Sequence, residues 1–330
     1  MNRIRYALFI AVAVLVVTIA ACAPAASPTP AMTKLNLGYS TWVGYGPLFI
    51  ARDKGYFKDE GLDVTLTKVE DPKDRFTALA GKQLDGLVTT IDTLVQYWKA
   101  ETPFKFILGL DDSSGGDGII AKPEINSVKD LKGKKIGVNV GSVSHYFLDY
   151  EFQQNGLSDN DVTLIKMKQG DVPAAFATGN IDAGVTWEPH LSKAVKGGAK
   201  LLITSKETPG LIVDVLVLRG DVIQANPNAA KALVRAWNKS IDYWKSNAED
   251  ADTVMAKGLA GFYNTADDIK ADLAGATLYD AARNKQFFSG TGAGTAVGTT
   301  KFAVDLWTKL GIVTTPIKPE DLSDASFVNQ

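Results

Sequence analysis

The stretch DAGVTWEPHL, residues 182–191, ends an apolar run with three side chains that could take part in chemistry. Glu188 and His190 together could serve as an acid–base pair or could bind a metal ion. Trp187 and Glu188 could instead surround an amine, because an aromatic face and a carboxylate both attract a cation. The choice depends on the elements that position these side chains.

Helical geometry argues against catalysis and metal binding by this stretch. In the first turn of a helix, residues two apart diverge by about 200°, so Glu188 and His190 cannot act on one atom or share one ion. The sequence has two histidines and one cysteine, which excludes a multi-histidine or cysteine-rich zinc site and an internal disulfide framework. We expect no catalytic residues, no metal and no cofactor. Glu188 then contacts a ligand cation beside Trp187, or it is a solvated acid favoured by the helix dipole.

Two aromatic residues occupy a glycine-containing loop between a predicted strand and a predicted helix. Trp42 and Tyr45 stand in YSTWVGYGP, residues 39–47, where Gly44 and Gly46 allow close approach of the backbone. Aromatic side chains in such a connection line a pocket, or pack in the core if they point inward. We predict that both contact a ligand.

A second strand passes into a helix at VNVGSVSHYF, residues 138–147. Free backbone amides at a helix start, with the hydroxyls of Ser142 and Ser144, suit a carboxylate, a sulfonate or a phosphate. The two serines could equally cap the helix, and one role does not exclude the other. His145 either adds a donor to this site or packs beside it.

Acidic residues stand at other predicted strand positions. Asp117 directly precedes an apolar strand, and Asp214 lies within the apolar strand VDVLVL. A carboxyl group in such a place needs a specific partner, because burying it alone is unfavourable. We predict that both acids face a ligand cleft.

An internal similarity suggests which strand ends share that cleft. The segments 81–94, GKQLDGLVTTIDTL, and 179–191, GNIDAGVTWEPHL, follow one plan of glycine, aspartate, apolar strand, threonine and a polar helix start. The candidates for the cleft are Thr90–Thr93 at the end of the first segment's strand and Thr186–Glu188 at the end of the second's. Ligands of open α/β sheets collect at the carboxyl ends of strands, so we expect the two ends to face each other.

The elements that would position these residues alternate regularly. From Lys34 to about Gly220, short apolar strands are separated by predicted helices, and residues 221–310 read almost entirely as helix. The predicted helices of the alternating part are 74–80, 93–100, 127–132, 143–155, 171–178 and 189–196. This alternation predicts an α/β fold with mostly parallel sheets flanked by helices.

The N-terminus and the composition indicate an exported protein that does not bind nucleic acid. Arg3 and Arg5 precede an uncharged apolar run, Ala7–Ala21, which is shorter than the ~20 residues of a membrane span and suits a signal peptide. The run ends in IAAC, which resembles the bacterial lipobox, with Cys22 as the lipidated residue. Residues 22–33 suit a spacer. The formal net charge of −2 gives no reason to expect nucleic-acid binding.

Together with the lipobox, three motifs resemble a known family: GYSTWVGYGPLFIARDKGYFKDEGLDV, VGSVSHYFL and AGVTWEPHLS. They look like the substrate-binding proteins of ABC importers in the nitrate, sulfonate, taurine and bicarbonate group, with pyrimidine-precursor and riboflavin binders as more distant relatives. The resemblance begins near Lys34 and extends to the C-terminus. It implies a two-lobe, periplasmic-binding-protein-like fold of type II that closes over one small solute.

The resemblance also implies an organisation and partners. Residues 1–21 would be the signal peptide, 34–118 with 219–330 the first lobe, and 119–218 the second, with hinge strands near 118–121 and 214–218. An ABC permease and ATPase would be the partners of a monomer held outside the membrane by lipid on Cys22. The family's contacts fall on Ser40, Trp42, Tyr45, Thr90, Asp92, Ser142, Ser144, Trp187 and Glu188.

The strand ends contain several acids and no Arg or Lys, which favours a small zwitterionic or amine-bearing solute such as taurine over an inorganic anion. Its anion would lie on residues 141–144, and its cation near Trp187 and Glu188 with Asp117 or Asp92. A wholly cationic ligand such as a guanidino compound also fits. The alternatives are a binder of nitrate, bicarbonate, a pyrimidine or riboflavin, an enzyme of the pyrimidine-precursor-synthase type, and a binding protein that serves a receptor.

Overall fold

The structure, a computed structural model, describes residues 31–101 and 103–329. The predicted signal peptide, the lipidation site Cys22 and most of the spacer lie outside the described residues. Residues from Met32 onwards form one compact unit. In the part of the chain that is described, no helix has both the length and the apolar character needed to cross a bilayer.

Two mixed sheets organise this unit. The first has six strands in the order β11-β4-β10-β3-β1-β2, and the second has five in the order β7-β6-β8-β5-β9. The strands are β1 Thr33–Tyr39, β2 Leu62–Lys68, β3 Gly86–Thr90, β4 Phe104–Ser113, β5 Asp117–Ala121, β6 Lys135–Val138, β7 Thr163–Lys166, β8 Ala183–Trp187, β9 Lys200–Thr204, β10 Val213–Arg219 and β11 Ala276–Leu278.

The sheets are α/β as predicted, but they are mixed rather than mostly parallel. β1 pairs in parallel with β2 and β3, and β6 with β7 and β8. The strands that link the two sheets run the other way: β10 is antiparallel to β3 and β4, and β5 is antiparallel to β8 and β9. A parallel pair needs a helical crossover, whereas a chain that returns from another sheet can pair in the opposite direction.

Helices cover both sheets. They are α1 Gly46–Asp53, α2 Tyr56–Asp59, α3 Pro72–Ala80, α4 Ile91–Tyr97, α5 Val143–Asn155, α6 Val172–Ala177, α7 His190–Lys196, α8 Gly220–Ala225, α9 Pro227–Ser246, α10 Ala248–Gly258, α11 Ala266–Leu273, α12 Ala281–Phe287 and α13 Ala296–Lys309. The predicted helix at 127–132 is only a 3₁₀ turn, Val128–Leu131. The predicted C-terminal helical block is interrupted by β11, which is too short to show a strand pattern in the sequence.

The chain passes between the sheets twice, after β4 and after β9. Hydrogen bonds place Val213–Arg219 in the first sheet, whereas the predicted boundary at residue 218 assigns most of this strand to the second lobe. The crossings therefore fall at residues 114–116 and 205–212, each directly before one of the predicted hinge strands. The division into two lobes remains a proposal, with these crossings as its boundaries.

Candidate functional site

A small cavity lies where residues from both sheets meet. Most of its wall comes from strand ends and the loops that follow them, as expected for an open α/β sheet. Its lining residues are Ser40, Trp42, Tyr45, Pro72, Arg75, Thr89, Thr90, Thr93, Asp117, Ser142, Val143, Trp187 and Asp214.

Most of the residues predicted from the sequence meet in this cavity. Those that line it are Ser40, Trp42, Tyr45, Thr90, Asp117, Ser142, Trp187 and Asp214. Those that do not line it are Asp92, Ser144, His145 and Glu188. The equivalent strand ends of the two sheets, at Thr90 and Trp187, thus face a common space.

The loop after β1 supplies the first aromatic residue of the wall. The indole Nε1 of Trp42 donates to Asp111 Oδ1 at 3.1 Å. A Cβ atom on Gly44 would lie 2.1 Å from Asp111 Oδ2, so only glycine permits this close approach. The hydrogen bond fixes the Trp42 ring at the cavity edge.

Trp187 connects the second sheet to the first. Its indole Nε1 donates to the backbone oxygen of Thr41 at 2.9 Å, across the cavity wall. The ring is 8% exposed and also packs in the main hydrophobic core. Trp187 is therefore both a core residue and a lining residue, so the two alternatives for a buried tryptophan are not exclusive here.

Two buried carboxyl groups face the cavity. Asp214 accepts a hydrogen bond from the hydroxyl of Tyr45, and Asp117 Oδ2 accepts one from Ser113 Oγ at 2.7 Å. Asp117 Oδ1 is buried and has no hydrogen-bond partner among the described residues. This oxygen can accept a bond from a cationic group in the cavity.

Burial changes the protonation of both acids. It raises the pKa of Asp117 to about 7, and the neighbouring charges of Asp92 and Glu188 add to the effect. Burial also raises the pKa of Asp214 well above its usual range, against the hydrogen bond from Tyr45, which lowers it. Each carboxyl group must therefore bind either a proton or a cation.

Arg75 is a lining residue that was not predicted from the sequence. It lies on α3 and is 3% exposed; its Nη1 donates to Val69 O at 2.7 Å, while its Nε has no hydrogen-bond partner in the described part of the chain. The prediction of the site from the sequence used strand ends and the loops that follow them, whereas Arg75 lies within a helix. A signal was available, since Pro72, Arg75, Phe76 and Leu79 have the spacing of a buried helix face.

The start of α5 forms the polar part of the wall. Ser142 is the N-cap of the helix: its Oγ accepts from the backbone amide of Ser144 at 3.2 Å and from Gln169 Nε2 at 3.2 Å. Thr90, at the end of β3, and Thr93, on α4, also line the cavity, and their hydroxyls are 2.9 Å apart. Together with Arg75 these groups suit an anion, because helix starts and guanidinium groups both favour negative charge.

Glu188, which the sequence predicts to contact a ligand, is not one of the residues that line the cavity. Its carboxylate accepts from the backbone amide and the hydroxyl of Ser192, each at 2.9 Å. Burial, followed by the charge of Asp272, raises the pKa of Glu188 to about 7. The first amides of α7 need an acceptor, and Glu188 satisfies one of them. This is close to the alternative role of a helix-start acid, although Glu188 is buried rather than solvated.

The other predicted residues lie outside the cavity wall for different reasons. Asp92, in the first turn of α4, is 2% exposed, and burial raises its pKa to about 7. Ser144 is fully buried within α5. His145 accepts from the backbone amide of Gly141 at 3.2 Å through Nδ1, so it supports the loop that holds Ser142 rather than facing the cavity.

A family described as NMT1/THI5 like matches residues 42–251, more than half of the chain. A protein of Bacillus subtilis (strain 168), provisionally named an aliphatic sulfonates-binding protein, is 29% identical over 212 residues, which are 62% of this chain and 64% of that protein. The taurine-binding periplasmic protein of Escherichia coli (strain K12) is 24% identical over 188 residues, 56% of this chain and 58% of that protein. The chain thus spans less than two thirds of these two relatives.

Enzymes also occur among the relatives. A 4-amino-5-hydroxymethyl-2-methylpyrimidine phosphate synthase of Schizosaccharomyces pombe is 31% identical over 140 residues, 42% of this chain and 40% of the enzyme. Family membership therefore leaves both binding and catalysis open, and the cavity must distinguish them.

Solved structures show the fold. The periplasmic aliphatic sulphonate binding protein SsuA from Escherichia coli superposes with a TM-score of 0.72 at 20% identity, covering 88% of this chain and 97% of that one. The alkanesulfonate-binding protein SsuA from Xanthomonas axonopodis pv. citri, bound to MOPS, gives 0.71 at 18% identity, with coverage of 91% and 100%. The predicted periplasmic-binding-protein-like fold and the predicted family resemblance are confirmed.

Proposed function

Since this chain belongs to the NMT1/THI5-like family, we propose that it is the extracytoplasmic solute-binding component of an ABC importer. Its ligand is a small zwitterion of the aminosulfonate class, of which taurine is the simplest member. Two relatives named for binding sulfonates and taurine support the class of solute. The permease and ATPase of such an importer would be its partners.

One observation supports a zwitterion above all. The same cavity contains a buried guanidinium, on Arg75, and two buried carboxyl groups, on Asp117 and Asp214. Arg75 Nε and Asp117 Oδ1 both lack a hydrogen-bond partner within the described ranges, so each can still bind a ligand group. A sulfonate on Arg75 and the start of α5, with an ammonium on Asp117, gives each of these two groups an opposite charge and adds no net charge to the cavity.

The charged residues that line the cavity favour the same class of ligand as the strand ends of the sequence do. The residues that carry this preference are, however, partly different. The absence of Arg and Lys from the strand ends favoured an amine-bearing solute, and Arg75 now provides a cationic group from a helix. In this proposal Asp117, already a predicted contact, and Asp214 bind the cation, and Glu188 does not. Trp42 and Trp187 supply aromatic surface beside these acids, each worth about 0.5–2 kcal/mol for a cation over its face.

A binding role fits the cavity better than catalysis. The lining residues include no histidine and no cysteine, so neither the usual general base nor a thiol nucleophile faces the cavity. The relatives that are synthases match less than half of this chain. We therefore propose that the ligand is released unchanged.

Closure of two lobes would complete the function. A ligand shifts an open–closed equilibrium only as far as it binds one form better. The hydrogen bond from Trp187 to Thr41, together with ligand contacts made from both sheets, would favour the closed form. We also propose that Cys22 is lipidated after cleavage of residues 1–21, which would hold a monomer at the outer face of the membrane.

Binding measurements with matched ligands test this proposal. Taurine, ethanesulfonate and ethanolamine share a two-carbon chain but differ in which charges they offer. We expect titration calorimetry to give the highest affinity for taurine, by at least about tenfold over either singly charged ligand, since each lost charged contact is worth ~1.5–3 kcal/mol.

One variant tests the contact with the ammonium, and a matched control lies elsewhere in the chain. Asp117→Asn should reduce the preference for taurine over ethanesulfonate, and Asp242→Asn, at an exposed position on α9, should not. Nitrate, bicarbonate, riboflavin and pyrimidines complete the ligand set. Equal affinity for taurine and ethanesulfonate would contradict the zwitterion, and binding of riboflavin or a pyrimidine alone would contradict the class of solute.

A further inference from the structure

Three metal-ligating side chains meet beside α5, outside the cavity wall. His145 Nε2 lies 3.4 Å from Asp149 Oδ2 and 3.0 Å from Asp159 Oδ2. One ligand atom from each residue falls within 4.8 Å of the other two. His145 and Asp149 are four residues apart on α5, so they lie on one helix face, and Asp159 comes from the 3₁₀ turn Asp159–Asp161.

These distances suit a single ion. Nitrogen and oxygen ligands about 2.0–2.2 Å from a tetrahedral zinc ion lie roughly 3.3–3.6 Å from one another. The separations of 3.4 Å and 3.0 Å are close to that range without any movement of the backbone. Small changes of side-chain torsion would bring all three ligand atoms to bonding distance.

Two carboxylate oxygen atoms of the cluster make no hydrogen bond to the described part of the chain. Asp149 Oδ2 and Asp159 Oδ1 are both buried and have no hydrogen-bond partner among the described residues. The Asp149 side chain is only 3% exposed, and its Oδ2 points at His145 Nε2. A buried carboxylate oxygen without a hydrogen bond is unfavourable, so it calls for a ligand of its own.

We propose that His145, Asp149 and Asp159 form a binding site for a divalent transition-metal ion of the zinc class, separate from the solute cavity. One imidazole and two carboxylates leave a fourth position for water or another ligand. The Asp159 side chain is 35% exposed, so the ion can enter from this side. The composition excluded a site with several histidines, but not one with a single histidine and two acids.

Metal binding would change the loop before α5. His145 Nδ1 now accepts from the amide of Gly141 at 3.2 Å, which requires the proton of the neutral ring to be on Nε2. A metal ion on Nε2 moves that proton to Nδ1, so the Gly141 amide loses its acceptor. Gly141 directly precedes Ser142, a lining residue of the cavity, and the metal would thus alter the position of this loop.

Titration calorimetry with Zn²⁺ on the purified, untagged protein tests the site. We expect one ion to bind per chain after treatment with a chelator, and Mg²⁺, which prefers six oxygen ligands, to bind far more weakly. His145→Gln and Asp159→Asn should each reduce zinc affinity by at least about tenfold. Asp242→Asn, at an exposed position on α9 away from the cluster, should bind zinc as the wild type does.

Nuclear magnetic resonance separates this site from adventitious binding. The sequence has only two histidines, so ¹⁵N-histidine spectra contain His145 with His190 as an internal control. Zinc should shift the Nε2 signal of His145 and the amide signal of Gly141, and leave His190 unchanged. The proposal is overturned if wild type binds no zinc, if Mg²⁺ competes equally, if His190 shifts instead, or if the folded His145→Gln and Asp159→Asn variants retain full affinity.

Discussion

Arg75 is a cation held inside the protein with part of its hydrogen-bonding capacity unused. Burial lowers the pKa of its guanidinium from the ordinary value, which the nearby charges of Glu70 and Asp214 partly oppose. Its Nη1 binds a backbone oxygen, while Nε remains without a partner among the residues described. Burying a charged group without a partner is unfavourable, and an anionic ligand in the cavity would supply that partner.

Arg75→Gln should therefore weaken binding of taurine by about tenfold to a hundredfold, the worth of one hydrogen bond to a charged group. Titration calorimetry measures the change, and Arg52→Gln is the matched control because Arg52 is exposed and pairs with Asp53. Unchanged affinity in Arg75→Gln would mean that the anion lies elsewhere in the cavity.

Trp187 combines two roles that a substitution can separate. Trp187→Phe keeps an aromatic ring in the core but removes the hydrogen bond to Thr41, so we expect a loss of about 1 kcal/mol in the free energy of unfolding and weaker ligand binding. Urea denaturation and calorimetry measure the two effects.

Trp244→Phe is the control for this change, since its indole also donates to one oxygen, Asp252 Oδ1 at 3.1 Å, but away from the cavity. It should lose similar stability and bind ligand normally. If both variants bind ligand equally well, Trp187 is a core residue and nothing more.

At the scale of elements, α5 is the helix that joins the two proposed sites. Its N-cap, Ser142, lines the cavity, and its first two turns carry His145 and Asp149, two of the three residues of the proposed metal site. The helix also packs against α13 through Tyr146 and Trp307, whose ring centroids are 5.4 Å apart.

Ser142→Ala removes a helix cap at the cavity. We expect it to lower the free energy of unfolding by about 1 kcal/mol and also to weaken taurine binding. Thr265→Ala removes the cap of α11, where Thr265 Oγ1 accepts from the amide of Asp268, and it should cost similar stability without affecting the ligand. Equal ligand affinity in the two variants would show that Ser142 is only a cap.

At the scale of the whole molecule, the two sheets bring a group of acids together that neither sheet contains alone. Asp111 and Asp214 come from the first sheet and Asp117 from the second. Burial raises the pKa of Asp111 well above its usual range, and the charge of Asp214 adds to the effect. Folding therefore disfavours the ionised forms of these carboxyl groups.

The stability of the ligand-free protein should reflect this. An aspartate ionises near pH 4 in the unfolded chain but near pH 7 at Asp117 in the folded one, so the native state binds more protons between these values. The stability contributed by Asp117 is fully present below about pH 4 and is lost as the pH rises toward 7.

Compared with wild type, Asp117→Asn should become relatively more stable as the pH rises from 5 to 7.5. Urea denaturation at the two pH values measures the difference, and Asp242→Asn should show none. A constant difference between wild type and Asp117→Asn would mean that this acid titrates normally in the folded protein.

The sequence by itself determined the local features of this protein, and with them most of the cavity wall. Periodicity indicated which segments are strands and helices, and glycine and serine marked the starts of α1 and α5. The carboxyl ends of parallel strands converge by geometry, which is why the sequence alone places Thr90 and Trp187 at one cleft. The fold class and the family followed from the same local motifs.

Only the tertiary structure decided which remote groups meet. Arg75 enters the cavity from a helix interior, Glu188 turns back to Ser192, and Asp159 joins His145 and Asp149 from a separate turn. Local patterns show which face of an element is buried, but not which other element covers it. That depends on packing between segments far apart in the chain, so the charge of the cavity and the metal cluster became visible only in the folded molecule.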